Sequence, residues 1–243
     1  MEYRDFLKNK RVAVVGPSLS IEGCGSGKLV DSYDVVVRMV RPRTTTEIIP
    51  PRLFNDIGVK TDVIYSNFDE STPLQISCAY LEQIKDRGVM YFNSTLPVQL
   101  IAQYPTYDQR MKEVGILSCN VSKAKHEEWS KQVKSSPHSG FCVLLDLLSY
   151  SIKELFILGF SFYKDLVISE WLAQNNWSPD RYIKDIEEIW KEGEKVSLND
   201  NSEDWKRENT HNNNKELVFF IREILSKDKR VKIDKSLEKF FQI

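Results

Sequence analysis

Arg11-Val-Ala-Val-Val-Gly16 is a short run of β-branched residues that ends in glycine. Such a run predicts a buried strand that leads into a tight turn. Its position near the start of the chain makes it the first strand of a larger sheet. Similar apolar runs predict five more strands, at 34–38, 61–65, 89–92, 153–159 and 231–233.

Between these runs the apolar residues follow helical spacing. Phe141, Leu144 and Leu148 form one stripe, which predicts a helix over residues 140–150. Because strands alternate with helices, we expect an α/β fold with a mostly parallel sheet and helices on both faces, in a single domain over residues 1–243. Further helices are predicted at 76–87, at 122–133 with Ser122 as cap, and after Thr210.

Residues 164–209 differ from the rest of the chain, since they are rich in charged residues, asparagine and tryptophan. We expect an insertion that acts as a mobile lid, because long loops in compact domains are usually functional. A plain surface loop is the alternative.

The composition excludes several classes of function. Lys and Arg number 34 and Asp and Glu number 35, so no basic field attracts nucleic acid or an anionic membrane. No apolar run reaches the length of about 18 residues that a transmembrane helix needs, and we expect a soluble, cytoplasmic protein. The four cysteines form no CxxC pair, which favours free buried thiols over a metal site. Three Asn-x-Ser/Thr sequences are interpreted as chance occurrences, at Asn93, Asn120 and Asn176.

Three constellations could carry chemistry. Gly16-Pro-Ser18 follows the first strand, where turn N–H groups can face a phosphate. Ser139 is placed to cap the helix after Pro137, and the first turn of that helix would form a second anion site. His211 precedes another helix, whose dipole favours a neutral imidazole suited to a general base. Each has a purely structural alternative. The glycines at 23–27 match neither a P-loop nor a dinucleotide fingerprint.

In this order, the pieces resemble the motifs of glycosyltransferase family 29, the sialyltransferases. Val12-Ala-Val-Val-Gly16 together with residues 25–38 and 56–61 resembles the large motif. Pro137-His-Ser-Gly140 with Gly159-Phe160 resembles the small motif, and His211-x4-Glu216 the very short motif. Gly159-Phe-Ser-Phe-Tyr163 is also similar to a segment of the bacterial family 42 sialyltransferases.

The resemblance implies a Rossmann-like, GT-A-like sialyltransferase variant that inverts configuration. It implies a CMP-activated sugar as donor, a glycan as acceptor, and neither a metal nor another cofactor. His211 would be the general base, with Glu216 in support. The expected donor-binding residues are Gly16, Pro17, Ser18, Arg38, Asn67, His138, Ser139, Gly140, Gly159, Phe160 and Tyr163.

Two departures leave alternatives open. The family usually carries asparagine where Pro17 and Val40 stand, and the loss of both removes polar contacts worth about 0.5–1.5 kcal/mol each. The motif-linking disulfide of the family also has no counterpart, which suits a reducing compartment. A CMP-sialic acid transferase, a CMP-Kdo transferase and a nucleotide- or glycan-binding module without turnover all fit. We expect a bacterial or viral source.

Overall fold

The computed structural model describes residues 1–18, 21–39, 49, 51–67, 77–101, 104–133, 137–160, 214–235 and 237–238. Six strands form one sheet: β1 (Arg11–Val15), β2 (Val35–Met39), β3 (Val63–Ser66), β4 (Tyr91–Ser94), β5 (Glu154–Leu158) and β6 (Val231–Ile233). The α-helices are α1 (Tyr3–Leu7), α2 (Gly27–Asp31), α3 (Phe54–Ile57), α4 (Cys78–Asp86), α5 (Tyr104–Val114), α6 (Lys123–Val133), α7 (Ser139–Leu148) and α8 (Asn214–Lys227). Short 3-10 turns lie at Pro51–Leu53 and Val98–Leu100.

The strand order is β4-β3-β2-β1-β5-β6, and every pair of neighbours is parallel. The chain builds outward from β1 to β4 on one side and then returns to add β5 and β6 on the other. The order therefore reverses between β1 and β5. In open parallel sheets, ligands bind outside the carboxyl ends of the strands at such a reversal.

Alternation along each strand divides the core between the two faces of the sheet. Val12 and Val14 pack in the cluster that contains α7, whereas Ala13 and Val15 pack in the cluster that contains α2 and α3. Helices α1, α6, α7 and α8 cover the first face, and α2 to α5 cover the second. The predicted α/β fold, with a mostly parallel sheet and helices on both faces, is thus confirmed.

Several helices begin or end at the capping residues that the sequence indicates. Ser77 caps α4 by accepting a hydrogen bond from the Tyr80 N–H, and Gly88 follows the helix at a φ of 96°. Ser122 caps α6, since its hydroxyl accepts from the Lys125 N–H at 3.3 Å.

The cysteines are all free, but only Cys142 is buried, and Cys24 and Cys78 are exposed. The prediction of buried thiols is therefore wrong for those two.

Among the residues described, no helix has the length and apolar character that crossing a membrane requires.

Candidate functional site at the carboxyl edge of the sheet

The candidate site is the edge of the sheet where all the parallel strands end. Gly16 and Gly159 follow β1 and β5, Asn67 follows β3, and Thr95 follows β4. Helix α7 begins at the same edge, because the Thr95 hydroxyl donates to the hydroxyl of its first residue, Ser139, at 3.2 Å. Residues 137–140 and the turn after β1 thus lie at one edge.

The turn after β1 continues the sheet instead of opening it. The Gly16 N–H donates to the Leu158 carbonyl at 2.8 Å, and the Ser18 N–H donates to the Gly159 carbonyl at 3.1 Å. Pro17 has no N–H. The expectation that N–H groups of this turn face a phosphate is therefore corrected, because both are already used by the β1–β5 pairing. A donor contact at residues 16–18 stays a prediction, but it cannot use these N–H groups.

The glycines at this reversal serve close packing. A Cβ on Gly16 would lie 2.3 Å from the Gly159 carbonyl oxygen and 2.9 Å from the Phe160 ring. A Cβ on Gly140 would lie 3.2 Å from the same ring. Phe160 is buried, so its ring fills the space between the end of β1 and the start of α7. These contacts give a structural reason for Gly16, Gly140 and Phe160 that needs no nucleotide.

The start of α7 offers the N–H groups that the β1 turn lacks. The N-cap is His138, not Ser139 as the sequence predicted, and the His138 side chain makes no capping hydrogen bond. The first helical bond runs from the Cys142 N–H to the His138 carbonyl at 3.0 Å. The N–H groups of Ser139, Gly140 and Phe141 therefore precede the helical ladder, at the positive end of the helix dipole. An anion is stabilised at such a place.

A hydroxyl group from the end of β4, that of Thr95, lies against this helix start. Thr95 is fully buried, and its N–H donates to the Ser66 carbonyl at 2.9 Å. Its hydroxyl lies 3.4 Å from that carbonyl and 3.2 Å from the Ser139 hydroxyl. Ser139 itself is partly exposed. Sequence reasoning missed Thr95, although a Ser-Thr pair at the end of a strand was a signal that could have found it.

The hydrogen bonds of Arg38 are made to the turn before β3, and its Nη1 is buried without a hydrogen-bond partner among the described residues. Its guanidinium donates to the carbonyls of Ile57 and Lys60, at 2.7 and 2.9 Å, and its Nε donates to the Thr61 hydroxyl at 2.9 Å. These groups lie in the turn that precedes β3, whereas the candidate site lies beyond its other end. Burial lowers the pKa of Arg38 to about 10, against the opposing effect of Asp31 and Asp62. The arginine stabilises this turn.

A buried polar network holds α7 from the opposite end. The Asp146 carboxylate accepts from the Tyr65 hydroxyl of β3 at 2.7 Å and from the Lys125 ammonium of α6 at 3.0 Å. The Tyr65 hydroxyl also lies 3.2 Å from that of Tyr3 in α1. Burial raises the pKa of Asp146, and Lys125 opposes that rise. Sequence reasoning missed Asp146, although a lone carboxylate within an apolar helix was a signal.

Several predicted residues have only a position here or none. Asn67 and His138 lie at the carboxyl edge, each partly buried. Glu216 lies in the first turn of α8. Tyr163, His211, Val40 and the predicted lid at 164–209 lie outside the described residues.

Solved structures with a distant likeness to this chain include a sialyltransferase. The crystal structure of a mammalian sialyltransferase aligns with 93% of this chain and 69% of its own, at a TM-score of 0.48 and 15% sequence identity. No family model matches the sequence. No curated protein matches it either.

Proposed function

We propose that the protein is a glycosyltransferase that moves a sialic-acid-type sugar from a CMP-activated donor to a glycan hydroxyl. The observation that carries the proposal is the placement of Pro137-His-Ser-Gly140 at the start of α7, at the carboxyl edge of a parallel sheet. An anionic donor fits this place, because helix N–H groups and a hydroxyl converge there. The order of the three motifs in the sequence supports the same class.

The proposed reaction is a single displacement. His211 accepts the proton of the acceptor hydroxyl while that oxygen attacks the anomeric carbon. The bond from that carbon to the phosphate oxygen breaks, and CMP leaves with the electron pair. The start of α7 stabilises the negative charge of the leaving phosphate. Attack opposite the leaving group inverts the anomeric configuration, and no step uses a metal.

Removal of the proposed base tests the reaction. His211→Ala should lower the rate of CMP release by roughly 10²–10⁴-fold. The assay is chromatographic detection of CMP from CMP-sialic acid and, separately, from CMP-Kdo, with water as the acceptor. Asn213→Ala, two residues along the same segment, is the matched control. Equal rates in the His211 variant and the wild type would reject the base, and no CMP release by the wild type would reject the activity.

A binding module without turnover is the second candidate. The observation that favours it is the β1 turn, where Pro17 has no N–H and the N–H groups of Gly16 and Ser18 are already bonded. Binding of CMP without release of CMP from either sugar nucleotide would support this module.

A cytoplasmic location and a bacterial or viral source remain proposals drawn from the sequence.

A further inference from the structure

Thr95 and Ser139 form a hydroxyl pair that links the buried end of β4 to the partly exposed start of α7. The two oxygens lie 3.2 Å apart. Thr95 is fully buried, while Ser139 is partly open to solvent. A hydroxyl has one hydrogen and can both donate and accept. The direction of this hydrogen bond therefore decides what Ser139 can offer to a ligand.

Two acceptors compete for the Thr95 hydrogen. One is the Ser66 carbonyl, which lies 3.4 Å away and already accepts the Thr95 N–H at 2.9 Å. The other is the Ser139 oxygen, which is nearer. Hydrogen bonds between oxygens are usually about 2.7–2.8 Å long, so the shorter contact is the stronger candidate. The Thr95 hydrogen consequently belongs on Ser139.

We propose that Thr95 is a positioning residue, which donates to the Ser139 hydroxyl so that Ser139 in turn donates its own hydrogen to an anionic oxygen of the bound sugar nucleotide. The inference rests on the proposed function, since it assumes that the donor's anion lies at the start of α7. A hydroxyl that accepts one hydrogen bond becomes a better donor of the next, because aligned hydrogen bonds polarise one another. Thr95 itself does not touch the ligand.

The anionic oxygen has two possible sources on one molecule. It belongs to the phosphate of CMP or to the carboxylate beside the anomeric carbon of the sugar. Both oxygens accept a charge-assisted hydrogen bond from a hydroxyl. Cytidine, CMP and CMP-sialic acid differ in these groups, because cytidine has neither, CMP has only the phosphate, and CMP-sialic acid has both.

The chain offers closely matched variants. Thr95→Val keeps the shape of the side chain and removes the hydroxyl, while the backbone bond to Ser66 stays possible. Thr95→Ser keeps the hydroxyl. Ser139→Ala removes the acceptor of the Thr95 hydrogen. Dissociation constants from calorimetric titration of the three ligands are compared for the wild type, these variants and the Thr95→Val/Ser139→Ala double variant, with urea unfolding as a check on folding.

The expected result is a pattern, not a single loss. Ser139→Ala should weaken binding of the anionic ligand by about 10–100-fold, as loss of a hydrogen bond to a charged group does. Thr95→Val should weaken it by about 2–5-fold, because a neighbouring bond adds up to about 30% to the strength of a hydrogen bond to a charged group. Thr95→Ser should restore it, and cytidine binding should not change. In the Ser139→Ala background Thr95→Val should have no further effect, because its partner is gone.

Three kinds of outcome overturn the inference. Undiminished binding of both CMP and CMP-sialic acid by Thr95→Val does so while the proposed function stands. An effect of Thr95→Val that Thr95→Ser does not reverse, or that persists fully without Ser139, shows a packing role instead. Failure of the folded wild type to bind either nucleotide ligand rejects the proposed function, and this inference with it. An effect seen with CMP assigns Ser139 to the phosphate, and one seen only with CMP-sialic acid assigns it to the carboxylate.

Discussion

Substitution of Gly16 by alanine separates a packing role from a phosphate-binding role at the end of β1. The added Cβ would lie 2.3 Å from the Gly159 carbonyl oxygen, well below the 3.0 Å that real Cβ atoms respect. That oxygen belongs to the backbone just after β5 and accepts the Ser18 N–H, so it cannot rotate away. The two central strands must move apart by several tenths of an ångström.

The expected cost follows from this geometry. Overpacking of a well-packed core typically costs about 1–3 kcal/mol, and a clash with fixed backbone belongs at or above the upper end. Gly140→Ala is the matched comparison, because its Cβ would lie 3.2 Å from the edge of the Phe160 ring, which can shift slightly. Alanine in a helix gains up to about 1 kcal/mol over glycine, which offsets that contact. Gly140→Ala should therefore be close to neutral.

Urea unfolding followed by far-ultraviolet circular dichroism measures both variants. Gly16→Ala should lower the free energy of unfolding by about 3 kcal/mol or more, and Gly140→Ala should change it by less than about 1 kcal/mol. A Gly16→Ala protein as stable as the wild type would refute the packing argument. If that stable variant also lost CMP binding, Gly16 would instead serve close approach of the phosphate.

Three further predictions concern residues away from the candidate site. Asp146→Asn removes a carboxylate whose pKa is raised by burial. The folded wild type therefore holds this proton more tightly than the unfolded chain, and its stability advantage over the variant should shrink as pH rises above about 4. An advantage that grows with pH in urea unfolding would contradict this. Arg38→Lys should lower the free energy of unfolding by about 2–4 kcal/mol, because lysine cannot replace the forked guanidinium donor. The CMP affinity of the folded variant should be unchanged. A loss of CMP affinity without a loss of stability would show that Arg38 belongs to the donor site. Asn93 is fully buried, and its side chain accepts a hydrogen bond from the Cys119 N–H at 2.8 Å. Mass spectrometry of folded protein secreted from a glycosylating host should therefore find no glycan on Asn93. A glycan on Asn93 would contradict the described packing.

Apolar patterning predicted the parallel sheet well, because burial on both faces leaves continuous β-branched runs. The final strand at 231–233 is confirmed as predicted, and the second lies at Val35–Met39, one residue from its predicted range. Helices α1, α2 and α3 were missed, since each has only four or five residues and therefore no repeating apolar period. The longer α5 was missed as well, because it buries only two side chains, Tyr107 and Met111. Their ends depend on tertiary contacts, such as the Asp31 carboxylate that accepts the N–H groups of Val59 and Lys60.

Long-range contacts explain what sequence reasoning missed in the site. The predicted cap at Ser139 was one residue late, because the serine hydroxyl is held by Thr95, which lies 44 residues earlier in the chain. The sequence predicts that Gly16 lets the backbone approach a phosphate, but the Gly159 carbonyl and the Phe160 ring lie so close that glycine is needed for packing. No local pattern contains those partners. Arg38 likewise donates hydrogen bonds to residues 57–61, and this contact depends on the register between β2 and β3.

Calorimetric titration of the wild-type protein with CMP, cytidine and UMP tests the central claim most directly. A site at the start of α7 that holds the anion of a CMP-sugar predicts that CMP binds more tightly than cytidine, because helix N–H groups stabilise the phosphate. It also predicts that CMP binds more tightly than UMP, because the proposed donor carries cytidine. Equal affinity for CMP and cytidine, or the absence of binding by folded protein, would contradict the account.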